Sequence, residues 1–91
     1  MSKQFGMELF LAGVLTGSLA TRQRHLRQAN IIQRKIEERW QRITPWAWQQ
    51  KHLVWFLECG LADRDEQTRY YYLLTVRLLV RRLKASRVFN L

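Results

Sequence analysis

Residues Thr68 to Leu83 read TRYYYLLTVRLLVRRL. Tyr72, Leu73, Val76, Leu79, Val80 and Leu83 recur at steps of three and four, which places them on one face of a helix. A strand would need strict alternation over a short run, and none occurs here. The same stretch carries Tyr71, Leu74 and Leu78 nearly opposite the first set. Two apolar faces call for two partners: the rest of the bundle on one side, and on the other either the first helix or another subunit.

Spacings of three and four extend through most of the chain, while Ile, Val and Thr nowhere gather between turns, so the sequence predicts an all-α fold, a small bundle of about four helices, with no strand. The first helix is expected over about Gln4 to Ala20, with Thr16-Gly17-Ser18 as its one candidate kink. The second is expected over Thr21 to Ile43, its apolar stripe running through Ala29, Ile32, Ile36, Trp40 and Ile43. Thr44-Pro45 separates it from a third helix over Pro45 to Cys59, because Thr caps a helix start and Pro fits the first turn. Gly60 is expected to close that helix in the left-handed conformation. Asp63 and Glu66 resemble a capping box for a fourth helix over Arg64 to Ala85.

Ninety-one residues allow one domain, 1–91, since a chain this short has interior for only a single core. Sixteen Lys and Arg against seven Asp and Glu leave a net charge of +9, so nucleic acid or an anionic membrane heads the list of partners. A hydrophobic share of 47% excludes a disordered basic tail. The single Cys59 forms no internal disulfide, and one Cys with two His cannot furnish a four-ligand zinc site, so a reducing cytoplasm fits and no metal or cofactor is expected.

The stretch FGMELFLAGVLTGSLA, Phe5 to Ala20, is the one candidate for a membrane or targeting segment. It is too short for a span, which takes about 20 apolar residues, and it contains Glu8 with three glycines. Ser18-Leu19-Ala20 imitates a cleavage site. The favoured reading is a core helix, apolar nearly all round, whose small residues admit close neighbours.

Arginine outnumbers lysine twelve to four, and the planar guanidinium fork matches phosphate oxygens two at a time. Position adds to count. Arg24, Lys35 and Arg42 align on the second helix with Arg27 and Arg34 beside them. Arg77, Arg81 and Lys84 stack on the fourth, with Tyr70 below. These two strips are the candidate backbone-binding residues. Trp48, at a helix start, is a candidate platform for an unpaired base, against the alternative that it staples the bundle.

Catalysis is poorly served. Cys59 and His52 share a helix face but stand about 10 Å apart, too far for proton transfer. Asp63, Asp65 and Glu66 are accounted for by capping and the helix dipole rather than by a metal. No glycine-rich phosphate loop is present, so the chain is read as not an enzyme.

The chain resembles the small subunit of CRISPR interference complexes of the Cascade type: an all-helical, basic chain of similar length, with short turns such as ITPWAW and CGLADRDE and cationic strips such as VRLLVRRLK, Val76 to Lys84. The resemblance implies several copies packed side by side in a larger complex, a surface holding the displaced DNA strand or the guide-target duplex, and no enzymatic role. A more local likeness is to the core-binding domain of tyrosine recombinases. HLVWFLECGL, His52 to Leu61, and TRYYYLLTVRLLVRRL carry it, and it implies a helical module that clasps DNA. A third class of reading is a subunit for protein interaction or a membrane surface, anchored by its apolar first helix.

Overall fold

The computed structural model describes residues 6–85. Among these lie four α-helices, α1 (Met7–Leu11), α2 (Leu19–Trp40), α3 (Gln50–Trp55) and α4 (Glu66–Ala85), and no strand. A 3-10 turn, Pro45–Ala47, precedes α3, and a π-helical turn, Phe56–Gly60, follows it. The all-α bundle expected from the periodicity is the fold this chain adopts.

The apolar N-terminal stretch is not one long helix. The expected start at Gln4 lies outside the described residues, and the described part stops at Leu11. Gly17 takes a positive φ of 95°, which costs glycine little. Ser18 then opens α2, its Oγ accepting the Thr21 backbone N–H at 3.2 Å. A serine cap after a glycine turn starts a new helix more cheaply than a bend inside an old one. Nor is the segment buried all round: Met7, Phe10 and Leu11 are in the core, but Leu9 is 85% and Leu19 63% exposed.

Five residues make a marginal helix, so α1 is held by tertiary contacts. Arg82 Nε donates to the Phe10 carbonyl at 2.8 Å. Its guanidinium lies 5.0 Å from the Phe10 ring and 5.1 Å from the Trp46 ring, and the two rings meet edge-on at 4.9 Å.

α2 buries Ala29, Ile32 and Ile36 completely, as the stripe requires. It ends three residues early. Gln41 adopts the left-handed conformation, φ 56°, with its N–H on the Glu37 carbonyl at 2.8 Å. Ile43 therefore falls beyond the helix and is exposed, while Trp40 is half-buried.

The expected third helix is divided. After the 3-10 turn, Trp48 is extended (φ −74°, ψ 150°) and its indole is buried. Placing that ring in the core outweighs the local preference for continuing the helix. α3 starts with a reciprocal cap instead, in which the Gln49 N–H donates to His52 Nδ1 at 2.8 Å.

Gly60 is not left-handed. It lies in the π-helical turn, where a Cβ would come within 3.0 Å of the fully buried Phe56 ring, so the glycine makes room for that ring.

The cap of α4 is Asp65, not Asp63. Asp65 Oδ1 accepts the Thr68 N–H at 2.8 Å, and hydrogen bonding from Thr68 holds the Asp65 carboxyl below its ordinary pKa. The helix accordingly begins at Glu66 rather than Arg64. Tyr72, Val76, Leu79 and Leu83 enter the core, which every helix joins. The second apolar row, Tyr71, Leu74 and Leu78, is half-buried.

Helices α2 and α4 meet through a buried polar contact. Thr75 Oγ1 donates to Gln28 Oε1 at 2.7 Å and lies 2.8 Å from His25 Nδ1. With the hydroxyl proton committed to Gln28, His25 Nδ1–H is the donor to Thr75.

Candidate nucleic-acid interface

The strip on α4 is present as expected. Arg77, Arg81 and Lys84 are exposed on the side away from the core, spanning about 10 Å at 1.5 Å per residue. Tyr70 lies on the same face and is 55% exposed.

On α2 the strip is reorganised. Arg27 and Arg34 are exposed, but Arg24 and Lys35 are half-buried at the edge facing the rest of the bundle. The Arg24 guanidinium lies 4.3 Å from the Tyr71 ring centre, with its Nε buried and without a hydrogen-bond partner. Lys35 Nζ reaches the Gly60 carbonyl at 3.4 Å. Arg42 leaves the strip, because the left-handed Gln41 turns the chain before it. It is exposed there, and its carbonyl accepts the Gln33 Nε2–H at 3.0 Å.

Arg24 meets Tyr71, and one turn further along both helices Gln28 meets Thr75, so the N-terminal halves of α2 and α4 lie side by side. Arg24 and Tyr71 thus mark a seam between the two helices.

Among the described residues, none of the eight strip cations forms an ion pair with a carboxylate. Beneath the seam, burial and then the Arg24 charge lower the His25 pKa, so its neutral form is favoured.

Trp48 offers no platform. It is 3% exposed, and its Nε1 is buried without a partner, so a base has no access to the ring. His52 and Cys59 are also separated by environment: His52 is fully buried and Cys59 is exposed. Burial, followed by the charges of Arg42 and Lys51, lowers the His52 pKa. Among the described residues no group of three His, Cys, Asp or Glu side chains could hold a metal, and no helix is long and apolar enough to cross a membrane.

Sequence reasoning missed a shallow groove of about 560 Å³ beside the π-helical turn, with Lys35, Arg39, Trp55, Gly60 and Asp63 among its lining. It missed the Arg24–Tyr71 stack as well. Neither leaves a signal in spacing, since each depends on which helix edges meet.

No family model, curated protein or solved structure matches this chain.

Proposed function

We propose that this chain is a non-catalytic, basic helical subunit that grips the backbone of nucleic acid without regard to sequence. It works in the cytoplasm within a larger nucleoprotein assembly of the Cascade kind, where the ligand is a displaced strand or a guide-target duplex. The observation that carries the reading is the set of strip cations with no carboxylate partner among the described residues: six of the eight are exposed, and all eight lie outside any ion pair there. A merely solvated basic face gains from interspersed acids. Glu37 and Glu38 accompany the α2 strip, but no acid lies beyond Glu66 on α4.

Exposed Leu9 and Leu19 support a protein neighbour, one copy beside another in the assembly.

The test is salt dependence. Each phosphate neutralised contributes about 0.9 to the slope of log affinity against log salt on duplex DNA and about 0.7 on a single strand. Replacing Arg77 and Arg81 together by alanine should lower the slope by one to two units, equally for all sequences. The variant should stay folded, because exposed charges contribute little stability. Unchanged affinity and slope in a folded double variant refute the proposal. Binding to anionic vesicles that persists when polynucleotide competitor is added favours a membrane-surface role instead.

A further inference from the structure

The two cationic strips are joined by aromatic rings. The Arg24 guanidinium of α2 stacks 4.3 Å above Tyr71 of α4, and the Tyr71 and Tyr70 rings stand 5.9 Å apart, tilted by 58°. A ladder of guanidinium and two phenols therefore crosses the seam and ends on the outer face of α4. Its inner rungs are fixed. Arg24 Nε is buried, and the half-buried Tyr71 has its ring beneath the Arg24 guanidinium. Its last rung is open, for Tyr70 is 55% exposed. Arg77 lies two turns further along the same face and Arg81 one turn beyond that, about 10 and 16 Å from Tyr70.

We propose that Tyr70 is a stacking platform for an unpaired base, and that the ligand of this surface is a single-stranded nucleic acid whose backbone follows Arg77, Arg81 and Lys84. The inference rests on the backbone-binding reading above and adds the strandedness of the ligand. Paired bases are covered on both faces by their neighbours and offer protein only their edges in the grooves. An unstacked base offers a face, and a phenol held from behind meets it with little ordering left to do. A strip serving duplex backbone alone needs cations and no exposed ring. The arrangement is blind to sequence, because every base has a π face and each cation reads only phosphate.

Binding is measured by fluorescence anisotropy with labelled probes of about fifteen nucleotides, within the reach of small single-strand sites. The probes are oligothymidine, oligouridine, a DNA duplex, and an abasic deoxyribose-phosphate chain of equal length. Wild type is expected to prefer the single strands to the duplex. Tyr70→Leu should bind the two base-bearing single strands about tenfold more weakly and the abasic chain as wild type does. Its salt slope should be unchanged, since no charge is lost. Tyr70→Trp should restore the affinity. Should Tyr70→Leu alter the circular dichroism spectrum, Tyr70→Ser removes the ring by another route.

Equal binding of all probes by Tyr70→Leu and wild type, with the slope still lowered by the paired Arg77 and Arg81 substitutions, overturns the platform and leaves the backbone reading standing. A duplex bound more tightly than oligothymidine overturns the strandedness. If the arginine substitutions also change nothing, both readings fail.

Discussion

Replacing Thr75 by valine keeps the shape of a side chain that is completely buried and removes only its hydroxyl. That hydroxyl donates to Gln28 Oε1 at 2.7 Å and accepts from His25 Nδ1 at 2.8 Å, which ties α4 to two residues one turn apart on α2. Valine leaves one acceptor and one donor without their partner. Each such loss costs about 1–3 kcal/mol when the group stays dry. His25 and Gln28 are 7% and 8% exposed, so slight movement readmits water, and the two can also turn toward each other. The low end of the range applies, about 1–1.5 kcal/mol for each group and so about 2–3 kcal/mol in all. Thr75→Ser is the control. It keeps the hydroxyl and loses one methyl, for about 1 kcal/mol. Urea titration of the three proteins checks the order wild type, serine, valine. For a domain of this size the valine variant should melt about 10–20 °C lower. If valine matches or exceeds wild type, burial of the methyl groups outweighs the hydrogen bonds, and the polar contact contributes nothing net to the seam.

Burial lowers the pKa of both His25 and His52, so the unfolded chain takes up their protons first as pH falls. The stability they contribute is complete above about pH 6.5 and is lost as pH drops through the lowered folded values, by at most about 1.4 kcal/mol per pH unit for each histidine. Melting temperature measured from neutral to mildly acidic pH should fall, and His25→Gln or His52→Gln should flatten the dependence; a flat wild-type profile contradicts it. Gln41→Gly relieves a side chain from a φ of 56° and should gain about 0.5–1 kcal/mol in denaturant melts, whereas a loss there would mean the Gln side chain has a role of its own. Gly60→Ala sets a methyl group about 3.0 Å from the fully buried Phe56 ring and should cost about 1–3 kcal/mol; an unchanged urea midpoint would show that the turn yields instead.

The legible parts of this fold are those where one helix face meets one core. Ala29, Ile32 and Ile36 on α2 and Tyr72, Val76, Leu79 and Leu83 on α4 were readable because regular spacing produced regular burial. Helix ends were less so. Asp63 and Asp65 are both good caps, and only the geometry of Thr68 selects the second. Spacing could not show that Trp48 would enter the core in an extended segment, since an indole at a helix start suits either side. The α4 strip survived because it depends on one helix alone, whereas the α2 strip lost Arg42 to a turn made by a residue other than glycine.

The π-helical turn from Phe56 to Gly60 has a consequence for the history of the chain. A π turn holds one residue more than the α turn it replaces, so it is the form a helix takes when a residue is inserted and both flanks keep their packing. Here the flanks are His52 and Leu53 on one side and Leu61 on the other, all in the interior. Shortening the segment by one residue would return the turn to ordinary α-helix and leave Leu61 in register with α3, still in the core. Length variants of this fold should therefore gather at this turn, where an ancestor one residue shorter could have given rise to the present chain without disturbing the helices on either side.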